Sequence, residues 1–297
     1  MGVLEIGGLV KRFGTKTVLD GVDLEVPEHS VFGFIGRNGA GKTTTMKMIL
    51  GLIRPDAGSI TVAGETVRFG QTATNRFIGY LPDVPEFYGF MNSREYLRFC
   101  GEITGMEDSE IRSRSEELLS AVGLAEEKHR IKGWSRGMKQ RLGIAQALLG
   151  RPRLLICDEP TSALDPVGRR EILEILRSAR EETTVLFSTH ILSDIEKICT
   201  DAAFLEGGKV RLSGELSELR AGLADGGYEL ELPSLREAVL ISEHYKLPAE
   251  GTVLSFTEKQ LSLPELMRFM ADRGIRPVKL ERRERSLDEL FHEVISK

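Results

Sequence analysis

The segment Gly36 to Thr44 reads GRNGAGKTT and follows directly on the apolar run Val31 to Ile35. Gly36, Gly41, Lys42 and Thr43 occupy the fixed positions of the pattern G-x-x-x-x-G-K-[ST], in the strand, loop, helix context that the pattern requires. Glycines at 36, 39 and 41 let the backbone close around phosphate with its N–H groups turned inward, and a helix starting near Lys42 adds the positive end of its dipole. Lys42 supplies a point charge for the outer phosphates, and the Thr43 hydroxyl is placed to ligand Mg²⁺. Arg37, Asn38, Ala40 and Thr44 complete the segment. The pattern implies a bound nucleoside triphosphate.

Around this loop the chain reads as a cassette of alternating strands and helices. Two short runs, Leu4-Glu5-Ile6 and Val22 to Val26, alternate apolar and polar residues, a half-buried antiparallel pattern. Ser59 to Val62 and Phe77 to Leu81 read as further strands, while Arg54 to Gly58 is a turn sequence. From Asn92 to Leu149 the period becomes helical: Asn92 and Glu95 form a candidate cap, and Ile111, Leu118, Leu119 and Val122 share one face. Strands at 154–157, 184–188 and 202–205 then alternate with helices, which predicts a largely parallel sheet with its ligand site at the strands' carboxyl ends. Past a Gly/Ala-rich stretch at 219–227, strands at 228–232, 252–256 and 276–280 and helices at 264–273 and 286–295 predict a small α+β domain. The expected organisation is residues 1–220, with a helical insert at about 84–150, followed by 221–297.

The formal net charge of -5 provides no general attraction for nucleic acid. Cys100, Cys157 and Cys199 are scattered and odd in number, which suits reduced thiols. No run approaches the ~18 apolar residues needed to cross a bilayer. If the protein acts at a membrane, another chain must do the crossing.

Leu154 to Glu159 is an apolar strand ending in two carboxylates. Side chains at a strand end point in different directions, so Asp158 can hold the Mg²⁺ shell while Glu159 polarises an attacking water. From here the chain resembles the ATP-binding subunit of an ATP-binding cassette transporter, over roughly residues 3 to 215. Trp134-Ser135-Arg136-Gly137-Met138 resembles the family's signature segment, Ser162-Ala163-Leu164-Asp165 its D-loop, and His190 its switch histidine. Phe13 stands where the family places an aromatic that stacks on adenine.

The resemblance implies an ATPase with ATP and Mg²⁺ as cofactors, Glu159 and His190 as catalytic residues, and Ser135, Gly137, Met138 and Asp165 reaching the nucleotide of an opposing subunit. It implies a dimer with a second copy or a homologous chain, and a separate multi-span permease that holds the ATPase on the cytoplasmic membrane face. Val84 to Met91, with Phe87, Tyr88 and Phe90, is the expected docking surface. Two departures stand out. Asp83 replaces the usual Gln after Tyr80-Leu81-Pro82, so its expected Mg²⁺ contact has a shorter reach, and Arg136 and Met138 replace Gly and Gln in the signature. The wording WSRGMKQR points to the exporter branch. A soluble ATPase acting on ribosomes or DNA is the alternative, disfavoured by one cassette and an acidic balance.

Overall fold

Residues 2–221 and 227–282 are described by a computed structural model. The first unit, Met1–Leu216, starts with β1 (Gly2–Phe13), β2 (Lys16–Pro27), β3 (Val31–Ile35), α1 (Lys42–Ile49), β4 (Ala57–Val62), β5 (Glu65–Thr66) and β6 (Ile78–Leu81). It continues through α2 (Ser93–Ile103), α3 (Asp108–Ala121), α4 (Arg136–Leu148), β7 (Leu154–Asp158), α5 (Pro166–Ala179), β8 (Thr184–Thr189), α6 (Leu192–Ile198), β9 (Asp201–Glu206) and β10 (Lys209–Glu215).

Two sheets result. The antiparallel one has the order β2-β1-β4-β5, and the mixed one β10-β9-β3-β8-β7-β6. Every residue of β3, β7 and β8 is buried, and these strands are parallel neighbours, which is why they read as continuous apolar runs rather than alternating ones. Leu4, Leu9 and Leu24 of the antiparallel sheet share one core with Phe32, Phe34 and Ile156 of the mixed sheet and Met46 of α1. Register places the site: Ile35 is opposite Thr189, and Asp158 is opposite Ser188. The carboxyl ends of β3, β7 and β8 therefore lie side by side, as the alternating pattern predicts.

Helices α2, α3 and α4 form the insert. Asn92 and Glu95 make a reciprocal capping box at the start of α2, and Ile111, Leu118, Leu119 and Val122 are all buried. Helix α4 lies tight on the sheet: a Cβ on Gly79 would stand 2.1 Å from the Ala147 carbonyl oxygen, so the site admits only glycine. Arg114, 2% exposed, pairs with Glu117 of its own helix and with Glu182 just before β8. The guanidinium holds the Glu182 carboxyl below its ordinary range.

After α7 (Leu216–Ala221), the second unit, Ser217–Lys297, contains β11 (Tyr228–Glu231), α8 (Leu235–Tyr245), β12 (Ala249–Glu250), β13 (Val253–Phe256), α9 (Leu263–Arg273) and β14 (Lys279–Arg282). Its antiparallel sheet has the order β12-β13-β11-β14, over a core with Leu230, Ile241, Leu254 and Phe269. Strand β14 begins later than the expected 276, because Pro277 has no N–H to give a ladder. Helix α8 is absent from the sequence reading, although Ser234, whose Oγ accepts from the Glu237 amide, is an available capping signal. The helix expected at 286–295 lies outside the described residues.

Candidate nucleotide-binding site

Beyond β3 the chain turns through Gly36 to Gly41 into α1. A Cβ on Gly36 would lie 2.7 Å from the Leu205 carbonyl, and Gly41, at φ 115°, adopts a conformation that strains any other residue. Gly41 is also the N-cap of α1, whose first turn has no side-chain cap and no acidic residue. Its N–H groups and dipole end are left for an anion.

Lys42 is 5% exposed, and its Nζ donates to the Gly36 carbonyl at 2.6 Å. The same nitrogen stands 3.0 Å from Glu159 Oε1, an ion pair outside hydrogen-bond geometry. Glu159 Oε2 meets His190 Nδ1 at 2.9 Å. Lysine, glutamate and histidine from three segments thus form one chain of contacts at the strands' ends.

Glu159 adopts φ 48° and Ala163 φ 53°, left-handed conformations that cost non-glycine residues on the order of 1 kcal/mol each. The turn after β7 is therefore held by its surroundings. Ser188 of β8 is central to this: its Oγ accepts from the Glu159 amide at 3.0 Å and donates to Asp158 Oδ1 at 2.6 Å. Asp158 is 3% exposed. Burial, with Asp158 nearby, pushes the Tyr80 phenol up to about 12, and burial likewise raises the Cys157 thiol, keeping both neutral.

These groups border an open cavity of about 590 Å³, lined by Phe13, Lys16, Val18, Arg37, Asn38, Gly39, Gly41, Lys42, Thr43, Thr44, Asp83, Asp158 and Glu159. Gly36, Ala40 and His190 adjoin it through Lys42, the loop and Glu159. The Phe13 ring is half exposed, with Lys11 Nζ 5.2 Å from its centroid. Lys16 and Val18, just beyond the β1–β2 turn, are lining residues that sequence reasoning missed, since no motif marks them. Thr43 and Asp158 present a hydroxyl and a carboxylate to one cavity, hard oxygen donors that fit Mg²⁺.

Ser135, Gly137, Met138 and Asp165 do not line this cavity. Ser135 caps α4, its Oγ accepting from the Met138 amide at 3.2 Å, and Asp165 caps α5, accepting from the Gly168 amide at 3.2 Å. Asp83 does line it, but its Oδ1 already accepts from Ser162 Oγ at 2.8 Å and Arg136 Nη2 at 3.0 Å.

The cavity therefore combines a phosphate cradle, a buried lysine, a carboxylate suited to a cation and a second carboxylate aligned by histidine. Ser188→Ala should unfasten the Asp158 carboxylate and the Glu159 backbone amide, lowering kcat for ATP hydrolysis by roughly ten- to a hundredfold. Phosphate-release kinetics at saturating ATP provide the check, and an unchanged kcat would rule out this tethering role.

A sequence profile described as "ABC transporter" matches residues 19–162. The chain is 35% identical to an uncharacterized ABC transporter ATP-binding protein, YxlF, of Bacillus subtilis (strain 168), over 99% of both chains. The chain belongs to the ABC transporter ATP-binding proteins. It is also 34% identical to the bacitracin transport ATP-binding protein BcrA of Bacillus licheniformis, over 99% of this chain and 97% of the relative. A solved ATP-binding subunit of an ABC transporter superposes with a TM-score of 0.66 at 32% identity, covering 75% of this chain and 93% of that one. The cavity accordingly belongs to an ABC ATPase, which binds and hydrolyses ATP in the service of a transporter.

Proposed function

We propose that this ABC ATPase closes as a dimer around two ATP molecules and drives export through a separate multi-span permease. The observation that carries the reading is the Lys42–Glu159–His190 chain at the mouth of a glycine-lined phosphate cradle. Lys42 and the loop amides hold the polyphosphate, and Phe13 stacks on adenine. Thr43 and Asp158 would hold Mg²⁺, which when bound would neutralise charge on the outer phosphate oxygens.

Glu159 orients water for in-line attack on the γ-phosphorus. A new P–O bond forms to that water as the bond to the β–γ bridging oxygen breaks, giving ADP and inorganic phosphate. His190 fixes the Glu159 carboxylate and donates to the γ-phosphate. Ser135, Gly137, Met138 and Asp165, outside the cavity of their own subunit, are assigned to the nucleotide on the facing copy. Ser135 caps α4, so the positive end of that helix would meet the γ-phosphate there. Loss of γ-phosphate then releases the interface.

The permease reading draws on the insert. A groove of about 440 Å³ between Val84 to Gly89 and Ile131 to Lys139 opens beside Tyr88 and Phe90, which are 51% and 63% exposed. Phe87 instead packs edge-on against Tyr96, with centroids 5.0 Å apart, so the expected aromatic surface divides between core and exterior. Among the described residues no helix is long and apolar enough to cross a membrane; the proposed site of action, where the permease would hold the ATPase, is the cytoplasmic membrane face. Residues 221–297 are proposed to form the accessory domain. The relative named as a bacitracin transport ATP-binding protein supports the transport reading.

The test is co-purification of tagged Glu159→Gln protein from its native cell with ATP and Mg²⁺ in a detergent extract. A stoichiometric multi-span membrane protein is the expected catch. Ribosomal or DNA-associated partners without a membrane subunit would sink the reading in favour of the soluble alternative.

A further inference from the structure

Helix α4 begins with a cation: Arg136 is its first residue, and its first turn has no acidic side chain. A positive charge there opposes the helix dipole, where an anion is favoured. The missing anion comes from across the fold. Asp83 Oδ1 accepts from Arg136 Nη2 at 3.0 Å, and both groups bond Ser162 Oγ, which accepts from Arg136 at 3.0 Å and donates to Asp83 at 2.8 Å. The backbone of residue 83 is held too, its carbonyl accepting from the buried Gln140 Nε2 of α4 at 2.7 Å. Asp83 simultaneously lines the nucleotide cavity beside Asp158 and Glu159.

We propose that Asp83 and Arg136 form a matched pair whose task is to position the start of α4 and the Ser162–Asp165 segment for the nucleotide bound by the second copy. Asp83 is then a positioning residue acting through Arg136 and Ser162. The departures from the family pattern at positions 83 and 136 thus meet in one contact. The triangle joins the cavity of one subunit to the two segments assigned to the other subunit's ATP, giving each site a route by which to feel the other. Both side chains are partly exposed, 39% for Arg136 and 46% for Asp83, and a pair of this kind adds little to folding stability. Its effect belongs to the geometry of the dimer.

This inference rests on the dimer reading, and one experiment separates the two. In a Glu159→Gln background, ATP-dependent dimerisation is measured by sedimentation, and ATP affinity of the dilute monomer with Mg²⁺ by titration calorimetry. Failure of the Glu159→Gln reference to dimerise would sink both the dimer and the pair. If it dimerises, Arg136→Gly and Asp83→Gln should each weaken the dimer about fivefold or more, while the double variant should lose no more than about twofold beyond the larger single loss, because either change alone already breaks the contact. Monomer ATP affinity of Arg136→Gly should stay within about twofold, and its melting temperature should hold.

Additive losses in the double variant would overturn the pairing. So would a loss confined to Asp83→Gln that appears in Mg²⁺-dependent ATP binding by the monomer, which would make Asp83 a metal ligand. A loss on Arg136→Gly without one on Asp83→Gln would also overturn it, by putting the guanidinium on phosphate directly.

Discussion

Glu159→Gln is expected to lower kcat for ATP hydrolysis by roughly a hundred- to ten-thousandfold while leaving ATP bound at least as tightly as before. The carboxylate is shared between Lys42 Nζ at 3.0 Å and His190 Nδ1 at 2.9 Å. A glutamine of the same size keeps a hydrogen-bonding partner for His190 but cannot orient and polarise water as a carboxylate does. It also removes a negative charge that stands beside the incoming polyphosphate, so binding gains rather than loses. With hydrolysis blocked, the ATP-bound dimer should accumulate. Phosphate release and nucleotide titration on one preparation decide the matter. Turnover at the wild-type rate would show that another group carries the chemistry.

Lys42→Ala should have the opposite signature, with binding itself lost. Lys42 is 5% exposed at the cavity wall, and its ammonium is fixed by the Gly36 carbonyl. Hydrogen bonds to charged groups contribute about 1.5–3 kcal/mol each, so losing a lysine proposed to bridge two phosphates should cost on the order of 3–5 kcal/mol. That is a drop in ATP affinity of a hundred- to several thousandfold. The loss is compounded because Glu159, only 14% exposed, would face the phosphates without its counter-charge. Calorimetric titration of the purified variant with ATP and Mg²⁺ gives the answer, with thermal unfolding in the absence of nucleotide as a control for folding. ATP affinity within threefold of wild type would remove Lys42 from the phosphate site.

The variants at positions 42, 159 and 188 separate by readout, because the three residues act on different things. Lys42 is proposed to touch the nucleotide in the ground state, so its loss is expected to raise the dissociation constant. Glu159 is proposed to act on the attacking water, so its loss is expected to fall on kcat. Ser188 is expected to touch neither and to work by holding Asp158 and the Glu159 amide, which is why its expected effect is smaller.

Much of this site was legible in the amino-acid sequence because its chemistry is local. A loop that wraps phosphate takes its N–H groups from consecutive residues, so GRNGAGKTT announces itself within nine positions. An apolar run that stops at Asp158 and Glu159 likewise announces a buried parallel strand with two carboxylates at its exit. Caps are equally local: the Asn92 and Glu95 box was readable, as was the Ser234 and Glu237 signal of α8 that went unread. The expected domain order rests on the change of period, since a strand buried on both faces and an amphipathic helix impose different spacings on apolar residues.

Tertiary structure decided the rest, wherever groups meet across the fold. No spacing rule relates Ser188 to Asp158 on a neighbouring strand, because parallel register emerges only when β7 and β8 pair. Nothing in one dimension makes Arg136 the partner of Asp83, 53 positions away, so each reads as an isolated departure from a pattern. Lys16 and Val18 enter the cavity wall only because β2 brings them beside the loop. The sequence by itself determined which local segments can hold a phosphate, end a strand in carboxylates or start a helix, since backbone geometry and charge act there between near neighbours. Which partners each carboxylate takes was settled by the packing of sheet and insert, because hydrogen bonds and ion pairs depend on distance in space, and separation along the chain sets no such distance.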